Sequence, residues 1–254
     1  KIVRYLKEAQ PKIVIIAGYS LLPMRAAANW ANHNQAKVIL LSDSQSIDKS
    51  RNWLKELFKK RWVQKNCHSA FVAGASAYNY LVQLGFERDR IWRGYDVVDN
   101  DYFHNFYLDI CQDRRGWRQK LQLPESYFLY VGRFSKEKNL KRFLKAYQQY
   151  RQQSSQKPCS LVLVGTGEEE ESLKETANAL NVKGITWAGF KQLDELPIYY
   201  SLATALVLPS LSEPWGLVVN EGMACSLPIL CSDRCGCMLD LVFPGINGCI
   251  FNPY

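Results

Sequence analysis

The chain has no apolar run of the roughly 20 residues that a membrane-spanning helix needs. Its first stretch, KIVRYLKEAQPKIVIIAG, carries no signal-peptide cleavage pattern. Histidine is scarce, at three residues (His33, His68 and His104), and none of the eight cysteines forms a C-x-x-C pair. The group Cys231, Cys235 and Cys237 has neither a usual zinc spacing nor a nearby histidine, so no metal site is expected. Cys159, Cys231 and Cys249 lie in apolar, strand-like runs. They read as reduced thiols of a cytoplasmic protein. Acidic residues are in deficit, 24 against 32 basic ones, a net charge of +8. That surplus suits an anionic partner without choosing among nucleotide, phosphate, lipid surface and nucleic acid. No basic-aromatic platform supports nucleic acid, which is set aside. What is present is globular: 47% of residues are hydrophobic and 13% aromatic, over 254 residues, enough for two domains.

Short apolar, β-branched runs recur along the chain: KIVIIAG, KVILLSD, SAFVAG, YFLYVGR, SLVLVGTG, ITWAGF, ALVLPS and LPILCSD. Amphipathic stretches separate them, among them MRAAANWANHN, NLKRFLKAYQQYRQQ and EEEESLKETANAL. Such alternation predicts an α/β fold with parallel sheets covered on both faces, and ligands at the carboxyl ends of the strands. The pattern breaks in a polar, aromatic, charged region that contains Pro124. The reading is a partial N-terminal Rossmann-like domain over 1–105, a linker over 106–125 and a second Rossmann-like domain over 126–254. Only about three strands fit before the linker, and the chain stops at FNPY just after an apparent strand. It reads as a piece of a longer protein.

The stretch SEPWGLVVNEGMA sets Glu213 before a Pro214-Trp215-Gly216 turn and Glu221 within the helix that follows. Amides of Gly216, Leu217 and Val218 at a helix start have no helical partner and face an anion with the positive end of the dipole. Carboxylates accept from sugar hydroxyls and repel phosphate. A nucleotide-sugar matches this layout, with Glu213 at the sugar and Glu221 at the ribose. Local physics divides evenly between this and a bland reading, in which Glu213 caps the helix and Glu221 is solvated.

These residues resemble the E-x7-E signature of retaining glycosyltransferases of family 4, with the GT-B fold. Gly132-Arg133-Phe134-Ser135-Lys136-Glu137-Lys138 is similar to the family's G-R-x-x-x-x-K segment. The resemblance implies that Arg133, Lys138 and Glu213 are catalytic, the two cations holding the donor diphosphate without a metal. VLVGTGEEEESL looks like the family's glycine turn, Gly165 and Gly167 letting backbone approach the nucleotide. It lacks the third glycine of a dinucleotide fingerprint, so NAD is not expected and no cofactor is implied. ITWAGF carries Gly189 and Phe190, which the resemblance places beside the base. It adds Gly132, Pro214, Trp215, Gly216, Leu217 and Glu221 to the donor site, and Thr166, Phe190 and Trp215 to donor choice. GYDVVDNDYF looks like the segment that ends the N-terminal domain. Where family members usually carry a histidine after the KVILLSDS strand, this chain has Asp43, a candidate acceptor-side residue.

The implied function is transfer of a sugar from a nucleotide-sugar to a hydroxyl acceptor with retention. The acceptor would be a glycan, a lipid-linked species or a small molecule, in polysaccharide or glycolipid synthesis. The alternatives are a nucleotide-binding fragment without activity and a GT-B sugar-nucleotide epimerase or hydrolase. In 51–65, Trp53, Leu54, Leu57, Phe58 and Trp62 recur at helical spacing among Lys55, Lys59, Lys60 and Arg61. Packing on the sheet is the favoured reading. Peripheral contact with the inner face of a membrane is the other.

Overall fold

The structure, a computed structural model, describes residues 1–47 and 52–254. They form two compact units, Lys1–Asp96 and Val97–Tyr254.

The first unit contains α1 (Ile2–Ala9), β1 (Ile13–Ala17), α2 (Leu22–His33), β2 (Lys37–Ser42), α3 (Trp53–Asn66), β3 (Ser69–Val72), α4 (Ala75–Gln83) and β4 (Ile91–Arg93). The strands pair in parallel in the order β1-β2-β3-β4. The sequence reading anticipates three of them. The fourth is only Ile-Trp-Arg, too short to show a pattern. With the strands in sequential order, right-handed crossovers put every connecting helix on one face. That face holds the core: Val14, Ile16, Val38, Leu40, Ala70 and Val72 are buried. The expectation of cover on both faces fails here, since Ile13, Ile15 and Trp92 on the other face are 54%, 60% and 55% exposed.

Helix α3 also departs from expectation. Trp53, Leu54, Leu57 and Phe58 are exposed; only Val63 and Asn66 are buried. The helix docks through its C-terminal half, where Trp62 lies 5.6 Å from the Tyr19 ring and Asn32 Nδ2 donates to the Asn66 carbonyl at 3.2 Å. Arg51, at the start of the expected amphipathic stretch, lies outside the described residues.

The second unit begins with α5 (Asn100–Gln112) and α6 (Arg114–Leu121), where the sequence reading places the end of one domain and a linker. Asp99 caps α5 by accepting from the Tyr102 amide at 2.9 Å, and α5 buries Phe103 and Ile110 one heptad apart against this unit. Then follow β5 (Tyr127–Val131), α7 (Leu140–Gln153), β6 (Ser160–Val164), α8 (Glu170–Ala179), β7 (Ile185–Gly189), α9 (Leu196–Leu202), β8 (Ala205–Leu208), α10 (Leu217–Ala224), β9 (Ile229–Ser232), α11 (Met238–Leu241) and β10 (Gly248–Phe251). All strands are parallel, in the order β10-β9-β8-β5-β6-β7. The central strands read as continuous apolar runs because both faces are covered: Leu161–Val164 and Ala205–Leu208 are buried throughout. From β5 the chain winds outward one way through β6 and β7, then returns to β8 and winds the other way. This reversal between β5 and β8 is the topological switch point at which open parallel sheets bind ligands.

Candidate functional site

The loops after β5 and β8 meet at that switch point. The first carries Gly132, Arg133 and, on a single 3-10 turn, Lys138; the second carries Glu213. Lys138 Nζ and Glu213 Oε2 form an ion pair, with side chains only 17% and 12% exposed. Ser210 Oγ donates to the same carboxylate oxygen at 3.4 Å. Glu213 therefore does not cap α10, which has no side-chain cap. It fixes Lys138 and is already neutralised by it. The backbone binds the loops as well: the Leu211 amide donates to the Glu137 carbonyl at 2.7 Å. Ser135 Oγ donates to Glu137 Oε1 at 2.6 Å and holds that carboxyl below its usual range. Arg133 is exposed, and its guanidinium makes no ion pair among the described residues.

Gly216 ends the turn at φ +106° and opens α10; an added Cβ would sit 3.0 Å from Leu208 Cδ2 and 3.4 Å from Glu213 Cγ. The amides of Leu217 and Val218 in the first turn have no helical acceptor. Trp215 is buried and its Nε1 donates to Asn220 Oδ1 at 3.0 Å, so it braces the turn from inside. Pro214 and Leu217 are exposed. Gly189, at the carboxyl end of β7, has open space over its Cα, and the adjacent Phe190 is 65% exposed.

Two of the glycines expected at the donor also have a packing role. A Cβ on Gly165 would lie 1.9 Å from the Gly132 carbonyl oxygen, and one on Gly167 would lie 2.4 Å from that of Phe134. The Phe134 amide donates to the Thr166 carbonyl at 2.9 Å. These glycines let the loop after β6 lie against the loop that carries Arg133.

Glu221 is not solvated. Tyr200, buried on α9, donates its hydroxyl to Glu221 Oε2 at 2.5 Å. Burial pushes the Glu221 carboxyl above its usual range, against the opposing effect of that hydrogen bond. Sequence reasoning did not find Tyr200, which lies 21 positions away with no spacing to mark it. A raised folded pKa means that the folded form holds its proton more tightly than the unfolded chain does. The contribution is then present below the ordinary glutamate value of about 4.3 and is lost as pH rises through the raised one. At neutral pH Glu221 thus costs stability. Glu221→Gln, which can still accept from Tyr200, is expected to raise the melting temperature by about 2–4 °C at neutral pH, and to lose that advantage in acid. A lower melting temperature at neutral pH would contradict the cost assigned to this carboxylate.

Beneath the turn, the Gly236 amide donates to the Glu213 carbonyl at 2.9 Å and the Cys237 amide to the Trp215 carbonyl at 3.2 Å. Cys231, Cys235 and Cys237 are all buried there. Cys235 Sγ donates to the Leu208 carbonyl at 3.9 Å and Cys231 Sγ to the Ser232 carbonyl at 3.5 Å. The neighbouring Cys231 sulfur and burial push the Cys235 and Cys237 thiols up. Among the described residues no three His, Cys, Asp or Glu are arranged to hold a metal ion.

In the first unit Asp43 is exposed just past β2. Past β4, Tyr95 and Asp96 are both pushed up, first by burial, with the charge of Asp43 adding to it. Tyr95 packs on Phe71 with ring centroids 5.7 Å apart. Asp43 thus has acidic company that sequence reasoning missed. The histidines lie elsewhere: His68 Nδ1 accepts from the Val38 amide, His33 is on α2 and His104 on α5.

Residues 113–254 match the family described as glycosyl transferases group 1. The chain is 33% identical over 118 residues to O-antigen chain mannosyltransferase B of Escherichia coli, covering 45% of this chain and 31% of that protein. It is 25% identical over 194 residues to alpha-monoglucosyldiacylglycerol synthase of Acholeplasma laidlawii, covering 74% and 47%. The matches thus span about a third to a half of the length of these curated relatives. The fold is similar to that of Anabaena Alr3699/HepE in complex with UDP, with a TM-score of 0.79 and 16% identity over 99% of this chain and 68% of that one. It is also similar to sucrose-phosphate synthase from Thermosynechococcus elongatus, with a TM-score of 0.73 and 21% identity over 98% and 63%. The α/β architecture with parallel sheets is that of GT-B glycosyltransferases.

Proposed function

We propose, from the premise that this chain belongs to the glycosyl transferases group 1 family, that it binds a nucleotide-sugar in its second unit and transfers the sugar to a hydroxyl acceptor with retention at the anomeric carbon. The observation that carries this reading is the Lys138–Glu213 pair at the switch point, beside exposed Arg133 and the free amides that open α10. That the neighbour HepE is seen with UDP, and that relatives are named as sugar transferases, supports it.

In this reading the chain's own groups stabilise the leaving group. Breaking the bond between the anomeric carbon and the diphosphate builds negative charge on the departing oxygen. Arg133, Lys138 and the α10 amides meet that charge. Glu213 holds Lys138 in place, and a carboxylate at this position is an acceptor suited to sugar hydroxyls. Glu221, held by Tyr200, accepts from the ribose. Gly189 leaves room for the base, and Asp43, with Tyr95 and Asp96 nearby, orients the acceptor. Because the carboxylate of the site is occupied by a lysine, the diphosphate's charge is met by side chains and no metal is required.

Calorimetric titration with a panel of nucleoside diphosphates and nucleotide-sugars tests the donor site. Selective binding that Glu221→Ala weakens at least tenfold, and that EDTA leaves unchanged, is the expected result. The anomeric configuration of the product, read by NMR, tests retention. A folded chain that binds none of the panel, or binding that depends on a divalent cation, would overturn the reading of the site.

A further inference from the structure

We propose that the groove between α2 and α3 of the first unit binds an anionic oligosaccharide. The site gives the proposed function the class of its acceptor, and in that respect rests on it. The groove has a volume of about 1010 Å³, at the upper end of what ligand pockets reach. Its walls are stripes at helical spacing: Arg25, Asn29 and Asn32 on α2, and Lys55, Phe58 and Trp62 on α3. From Lys55 to Asn66 the α3 wall is about 16 Å long at ~1.5 Å per residue. That length fits a chain of several sugars.

Rings and hydrogen-bonding groups share the lining. Tyr19 and Trp62 lie 5.6 Å apart at 34°, and Phe58, one helical turn from Trp62, is 71% exposed. The C–H faces of a sugar ring carry the weak positive polarity that the negative face of an aromatic ring attracts. Asn32 Nδ2 donates to the Asn66 carbonyl at 3.2 Å, while its Oδ1 has no partner among the described residues. His33 Nδ1 donates to the Asn29 carbonyl at 2.7 Å, which makes Nε2 of the neutral ring an acceptor. Such acceptors suit hydroxyl groups.

Charge selects an anionic glycan over a neutral one. Residues 1–96 hold 16 Lys and Arg against 7 Asp and Glu, whereas residues 97–254 hold 16 against 17. Arg25, Lys55, Arg61 and Lys65 line the groove, and none of them makes an ion pair among the described residues. Lys59, the fifth lining cation, is already engaged by Glu56 at 2.7 Å. No carboxylate lines the groove among the described residues. Four cations with no counter-charge repel one another, and carboxylates or phosphates on a bound glycan relieve that repulsion. The groove also opens where an acceptor is needed. Tyr19 and Ser20 follow β1 and Asp43 follows β2, and the Gly18 amide donates to the Leu41 carbonyl at 2.9 Å. The mouth therefore lies at the edge of the sheet that carries Asp43, and a glycan lying along the groove presents its end there.

Calorimetric titration of the full chain, without donor, tests this with tetragalacturonate, whose anions are carboxylates, mannopentaose phosphate, whose anion is a phosphate, and neutral maltotetraose. At least one anionic glycan is expected to bind ten times or more tighter than maltotetraose, and less tightly in high salt. Phe58→Ala should weaken that binding about tenfold, and Lys55→Gln with Lys65→Gln at least as much. These three side chains are exposed, so melting temperature and nucleotide binding should be unchanged, which separates loss of the groove from misfolding. Binding of neither anionic glycan, no preference over maltotetraose, or variants that bind like the parent would overturn the proposal. Inorganic phosphate or monomeric galacturonate that binds as tightly as the oligosaccharides would overturn it too, marking a site for a free anion. So would a single-stranded oligonucleotide that binds more tightly than either glycan. A chain that binds the glycan but no nucleotide leaves the groove standing and removes the transferase reading. One that binds nucleotide but no glycan does the reverse.

Discussion

Arg133→Ala should lower kcat by about 10²–10³, the usual loss when one group that stabilises developing charge is removed, with a change in melting temperature of no more than about 1–2 °C. The separation of effects follows from where Arg133 sits: its side chain is exposed and makes no ion pair among the described residues, so the folded chain loses little when it goes. Lys138→Ala is the counterpart. It should lower kcat by a similar factor, and it also leaves the 12%-exposed Glu213 carboxylate without its ammonium, at a cost of about 3 kcal/mol. The two variants, compared by kcat at saturating substrates and by thermal melting in a preparation that transfers sugar, report different things. If Arg133→Ala keeps its turnover, charge stabilisation by this residue is lost from the mechanism. If Lys138→Ala melts like the parent, the pair with Glu213 contributes nothing to the turn.

The eight apolar runs read as strands all form strands; in the second unit the central ones are apolar along their whole length because both faces are covered, while in the first unit alternate residues face the core. Where the physics is less uniform the sequence is less legible. Ile91–Arg93 is a strand of three residues with one buried, below any periodic signal. Helices α5 and α6 look like a linker because α5 has only two fully buried side chains, Phe103 and Ile110, among polar and half-exposed aromatic residues. The aromatic spacing of α3 gives its helical form but cannot tell a core-facing stripe from one that faces water. Within the site, the motifs name Lys138 and Glu213 but not their contact. Seventy-five positions separate them, and what joins them is β5 lying beside β8. Tyr200 belongs to no motif, and its role exists only because α9 buries it against Glu221.

Gly165→Ala decides between two accounts of one residue. The resemblance implies that this glycine lets backbone approach a nucleotide, in which case a methyl group would block the ligand and leave the fold intact. The structure gives a different cause. At φ +133° an L side chain is strained, and the new Cβ would lie 1.9 Å from the Gly132 carbonyl oxygen, a backbone atom that cannot turn aside. That carbonyl belongs to the loop carrying Arg133, and Gly132 is itself held by its amide's bond to the Val164 carbonyl at 3.0 Å. To make room, the loops after β5 and β6 must part, breaking the bond from Phe134 to Thr166 as well. The expected cost is about 3–5 kcal/mol, a fall in melting temperature on the order of 10 °C. Gly189→Ala is the control: it too has a positive φ, +70°, but its Cβ would enter open space. It should cost about 1 kcal/mol from backbone strain alone, and it should weaken nucleotide binding if the base lies there. A Gly165→Ala protein that melts with the parent and fails only to bind nucleotide would return this glycine to the ligand. One that unfolds early, while Gly189→Ala stays folded, assigns it to the packing that carries Arg133 to the switch point.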